Sequence, residues 1–254
     1  MTMDELLRSA AVRTADNGLV FSIQPADDDV AAEDRSLERM VAAVPRALAT
    51  RLGRTATYFV PWLFKHRRSV AVALAPAAEG ETRKELCHHL DVKPSGNLLL
   101  ISLQFYEHDA YGLAMEFFDK IAYLAALEPA PAAPGQSSEP QALLQRQLES
   151  GKPGELTPEA WEYRQAVAAG NANNDAWQNY RRAAETDALG LYMAALFTDV
   201  FYEDLFEPGS EFPALEPVQL TERLRALERL YPPNRGYSLQ LVRERPRRRR
   251  SASR

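Results

Sequence analysis

The chain contains one cysteine, Cys87, and four histidines, at positions 66, 88, 89 and 108. These are the side chains best suited to ligating a metal or activating a nucleophile near neutral pH. Cys87, His88 and His89 are consecutive. A thiol beside an imidazole can lose its proton to that base and become a nucleophile, so an enzyme built on Cys87, His88 and His108 is one reading. The local pattern argues against it. The residues from Glu81 or Thr82 to His89 are predicted as a helix, where neighbours point about 100° apart and cannot share one tetrahedral ion without distortion. Neither a His-Glu-x-x-His pattern nor a Cys-x-x-Cys pair occurs, and a buried helical cysteine is the commoner role for Cys87. Glu107-His108-Asp109 follows a strand-like run, where sites often lie in open sheets, but acids at a helix start are accounted for by the helix dipole. None of the twelve glycines builds a phosphate-binding loop, and there is no Gly-x-Ser-x-Gly elbow. Nucleotide-dependent and serine-hydrolase chemistry are disfavoured, and no cofactor or metal is expected.

The basic residues suggest a different use. Trp62, Phe64, Lys65, Arg67 and Arg68 interleave aromatics with cations, a combination that stacks on bases and neutralises phosphates. The last twelve residues carry seven arginines, Arg247, Arg248, Arg249 and Arg250 among them, and one glutamate. The net charge of −5 therefore divides into +6 on residues 243–254 and −11 on the rest. Such an acidic body repels nucleic acid over a Debye length of about 8 Å, and its strands lack the paired aromatics of an RNA-reading sheet. Asp199, Glu203, Asp204 and Glu207 recur between Phe197, Phe201, Tyr202 and Phe206, a mixed face able to receive a basic partner or the arginine segment itself. That segment is expected to be disordered, and Ser251 and Ser253 follow arginines as in substrates of basic-directed kinases. The expectation is a non-enzymatic cytoplasmic interaction or adaptor protein with a protein partner. RNA or DNA binding through the Trp62–Arg68 loop and the tail is the alternative.

The elements that would carry these residues follow from composition. At 254 residues, 46 % hydrophobic and 26 % charged, the chain is of globular type and long enough to bury a core without disulfides. Acids at the N-terminus give no secretory-signal pattern, and the apolar run from Ala188 to Thr198 falls short of the ~20 residues that span a bilayer, so no membrane partner is expected. Strands are predicted at residues 19–23, 55–60, 69–74 and 98–105. Helices are predicted at 4–12, over 37–52 with a kink or split at Pro45 and a left-handed cap at Gly53, and from Asp109 onward. That order fits either a ferredoxin-like βαββαβ arrangement or a mixed α/β sheet with helices on both faces. Residues 1–127 would form this α+β domain, and 128–140 read as a Pro/Ala/Ser-rich linker. Residues 141–242 read as mainly helical, with helices capped at Thr157-Pro158, running from Asp175 towards Phe206 with Gly190 as a weak point, and capped at Thr221. A final strand, Tyr237–Val242, could return to the N-terminal sheet, and 243–254 form the tail. Glu159-Ala160-Trp161 and Asp175-Ala176-Trp177 open consecutive helices, read as two amphipathic helices anchored by tryptophans.

Overall fold

A computed structural model describes residues 3–24, 31–66, 69–74, 76, 84–127, 139–170, 174–206, 209 and 211–242. The N-terminal half runs α1 (Met3–Ser9), β1 (Arg13–Thr14), β2 (Val20–Ile23), α2 (Ala31–Ala43), α3 (Arg46–Arg51), β3 (Thr55–Val60), β4 (Trp62–His66), β5 (Ser69–Ala73), β6 (Lys84–Glu85), β7 (His88–Lys93), β8 (Gly96–Ser102) and α4 (Ala110–Leu127). The C-terminal half is mainly helical: α5 (Glu139–Glu149), α6 (Pro158–Ala168), α7 (Asn174–Phe197), β9 (Val200–Phe201), α8 (Pro217–Leu230) and β10 (Leu241–Val242). Among the described residues, no helix is long and apolar enough to cross a membrane.

The class is α+β, with a helical C-terminal region, and the sheet is the mixed one. Five strands lie in the order β1-β2-β3-β8-β7, with β2, β3 and β8 parallel and both edges antiparallel. A ferredoxin-like order would require an antiparallel centre, so that alternative is set aside. Parallel central strands need both faces covered, and β3 shows it. Phe59, with Leu99 and Ile101 of β8, faces the helical layer of α2, α4 and α7, whereas Tyr58, Val60 and Leu100 face Leu6 of α1 and Leu63 and Val72 of a second sheet. That second sheet has the order β5-β4-β6. Pro61 is the corner at which the chain leaves β3 in one sheet and enters β4 in the other.

Several expected elements take other forms. Residues 84–85 and 88–93 are strands rather than the end of a helix. The polar/apolar alternation through Leu90 and Val92 continues into a two-residue turn at Pro94-Ser95, and pairing with β8 overrides helix propensity. Gly190 does not weaken α7. It lets the helix approach α4 until an added Cβ would lie 3.4 Å from Asp119 Cα. Helix α7 stops at Phe197, so the acidic-aromatic residues beyond it do not share one helix face. Helix α8 starts at Pro217, and Thr221 lies inside it, bonding back to the Pro217 carbonyl. Leu52 caps α3 at φ −83°, and Gly53 is not left-handed. The expected Asp109 cap is present, accepting the Gly112 amide at 2.7 Å, and Thr157 caps α6 through the Ala160 amide.

Pro45 splits α2 from α3 and leaves helix-end carbonyls needing donors. Buried Asn17 donates to Val41 O (2.8 Å) and Val44 O (2.9 Å) and accepts the Leu19 amide. Asn234 donates to Ala42 O and Val44 O and accepts the Arg46 amide. The C-terminal segment thus reaches the N-terminal half through side-chain bonds at this break. It does not add the expected strand to the N-terminal sheet edge: only Leu241–Val242 are paired, parallel to β9. Replacing Asn17 by alanine orphans the buried Leu19 amide at ~1–3 kcal/mol and removes one donor each from Val41 O and Val44 O, which keep Val44 N and Asn234. Urea denaturation of Asn17→Ala is expected to show a loss of about 2 kcal/mol or more.

Candidate functional site

Cys87 sits where the chain crosses between the two sheets. Leu86 N bonds Leu63 O of β4, and one residue later Cys87 O accepts Ser102 N of β8. This places Cys87 at a bend, so its side chain and that of His88 need not diverge as strand neighbours do. Strand alternation then places His88 with Leu90 on the face toward α4, and His89 on the other. Three turns of buried apolar residues, among them Phe117, Phe118 and Ile121, fix α4 against the sheet and α7, and Glu116 is turned toward the bend.

Cys87 Sγ lies 3.3 Å from His88 Nδ1, and the same nitrogen lies 2.5 Å from Glu116 Oε1. Lys120 Nζ approaches Glu116 Oε1 at 3.5 Å and Asp119 Oδ2 at 2.7 Å. The Tyr106 phenol lies beside Glu116 and Cys87. Burial pushes the Glu116 carboxyl up, but His88, the Lys120 charge and Tyr106 outweigh it and bring it down to about 2. Burial and the carboxylate of Glu116 push the Tyr106 phenol up. His89 is lowered, chiefly by burial.

A relay from carboxylate through imidazole to thiol uses both ring nitrogens. Here Nδ1 alone faces both groups, so the geometry is that of convergent donors. His108 is not among them: it is 91 % exposed, has φ 66°, and faces Glu107 at 3.7 Å.

The aromatic-basic segment is placed differently from a base-stacking platform. Trp62 and Phe64 share a face of β4 and stack on each other at 6.0 Å and 4°, and Phe64 is buried. Lys65 is exposed. Arg67, Arg68, Arg247, Arg248, Arg249 and Arg250 lie outside the described residues.

Glu116 and Tyr106 escape sequence reasoning, although a charged trio, Glu116, Asp119 and Lys120, interrupting an apolar helix is a usable signal. A second cluster, also unforeseen, joins the helical half. Fully buried Glu155 accepts Arg164 Nη1 (2.8 Å), Arg223 Nη1 (2.7 Å) and Tyr180 Oη (2.7 Å). Burial pushes Glu155 up, but Arg223, Tyr180 and Arg164 outweigh it and hold it below the usual range. Its stabilisation is present above the unfolded carboxyl pKa and is lost as pH falls. Nearby Asp187 accepts the Thr157 hydroxyl at 2.6 Å and is raised to about 7, chiefly by burial.

Asp187 carries the opposite pH dependence. A raised acid contributes stability below its unfolded pKa that is lost as pH rises through about 7. Thermal melts of Asp187→Asn and wild type are therefore expected to shift in the variant's favour as pH is raised from about 5 to about 8, whereas a pH-independent difference would deny the raised carboxyl. No protein-family model, no curated protein and no solved structure matches this chain.

Proposed function

We propose that this chain is a non-catalytic interaction protein of the cytoplasm, an adaptor whose acidic folded body and arginine-rich segment engage a protein partner by charge. The observation that carries this reading is charge segregation, +6 on residues 243–254 against −11 on the remainder. Pairing on the body supports it. Arg164 and Arg223 are consumed on buried Glu155, Arg229 on Glu139, Lys152 on Glu216 and Arg225 on Glu228. Cations held this way are poorly disposed toward an outside anion, so the arginine segment is left as the concentrated positive feature. The exposed pairs among these add little stability, but they set what a partner meets.

Nucleic-acid binding is less well supported, because Trp62 and Phe64 spend their ring faces on each other. It remains an outcome of the same experiment. Pull-downs with the full chain and with residues 243–254 deleted, each with and without nuclease, are expected to recover a protein partner that survives nuclease and is lost on deletion. Equal recovery by both forms, or recovery that nuclease abolishes, overturns the proposal.

A further inference from the structure

We propose that Cys87 Sγ, His88 Nδ1 and a carboxylate oxygen of Glu116 form a three-ligand site for one divalent transition-metal ion of the zinc class, with the fourth position left to water. The three donor atoms lie within 4.8 Å of one another. Zinc–sulfur and zinc–nitrogen or –oxygen lengths of ~2.3 and ~2.0–2.1 Å in a tetrahedron put such donors about 3.3–3.6 Å apart. The Sγ–Nδ1 separation of 3.3 Å is near that spacing. The 2.5 Å contact between Nδ1 and Glu116 Oε1 is closer, so an ion bound here requires these two atoms to move apart by about 1 Å.

A further observation concerns the same oxygen: Glu116 Oε1 is buried and, with His88 Nδ1 at 2.5 Å and Lys120 Nζ at 3.5 Å as neighbours, accepts no well-directed hydrogen bond. A buried oxygen in that state normally has a partner, and a cation at the centre of the three donors supplies one. The Glu116 carboxylate is ionised, as a ligand must be, and binding the ion releases to solvent the Cys87 thiol proton and any proton carried on His88 Nδ1. Tyr106, beside both Glu116 and Cys87, acts as a positioning residue for two of the ligands. Asp119 holds the Lys120 ammonium at 2.7 Å, so this cation is drawn toward Asp119 rather than the centre. Thiolate with imidazole and one carboxylate selects zinc or cobalt over magnesium or calcium, which prefer all-oxygen shells. Side-chain exposures of 31 % for His88 and 20 % for Glu116 leave the site reachable from solvent.

The test is titration of the full, untagged chain with Co(II), followed by competition with Zn(II). The proposal expects one equivalent bound, tetrahedral d–d bands in the visible, and a near-ultraviolet sulfur-to-cobalt charge-transfer band that zinc abolishes. Cys87→Ser should remove the charge-transfer band, Glu116→Gln should weaken affinity at least tenfold, and Tyr106→Phe should weaken it by roughly ten- to a hundredfold. His108→Ala should change nothing. Absence of the charge-transfer band in the wild-type chain at excess cobalt overturns the proposal without recourse to any variant. Unchanged affinity in a Cys87→Ser protein with a wild-type circular dichroism spectrum also overturns it.

Discussion

A carboxylate with no access to water, Glu155, sets the terms on which the helical half is assembled. Removing such a charge from solvent is costly unless its partners are placed well. They come from separate elements: Arg164 from α6, Tyr180 from α7 and Arg223 from α8. Gln147 of α5 joins by accepting Arg223 Nε at 2.8 Å. The backbone around Glu155 is equally constrained. It bridges to Ala214, and Gly154 (φ 127°) passes so close to the Ala214 carbonyl that a Cβ would lie 2.4 Å from its oxygen. Losing one partner would leave a buried charge uncompensated, a penalty of about 3–5 kcal/mol, so the four helices are tied to a single atom group.

The same interior contacts decide what the molecule presents outside. Two arginines are spent on Glu155, others are spent on neighbouring carboxylates, and the acidic excess of the body remains. Helix α4 plays the corresponding role in the N-terminal half. Its buried face is held between the sheet and α7, with Gly190 permitting close approach, and this fixes the helix turn from which Glu116 projects. The Cys87 bend, the α4 orientation and the placement of Tyr106 are three consequences of packing that meet at one point.

Much of the scaffold is readable from residue types. The apolar runs predicted as strands at 19–23, 55–60 and 98–105 became the central strands, the last ending at Ser102, Pro45 split its helix, and Asp109 and Thr157 capped theirs. What escaped reading depends on distant contacts. Residues 88–93 became a strand because β8 offers a pairing edge, information absent from the window around Cys87. Once that segment is misread as helix, the divergence of Cys87 and His88 follows, and the convergent donors are missed. Glu116 is contributed from a helix that local spacing cannot bring to the bend. Gly190 read as a weak point because its value lies in a helix more than sixty residues away along the chain.

The proposed function turns on electrostatics: several cations of the described body are paired with carboxylates, and the attraction is assigned to the arginine segment. Salt dependence examines this directly. For the partner recovered by the full chain, the dissociation constant should rise steeply with sodium chloride, and removing residues 243–254 should both weaken binding and flatten that dependence. Equal slopes for the two forms would show that the arginines contribute no charge to recognition and would contradict the account.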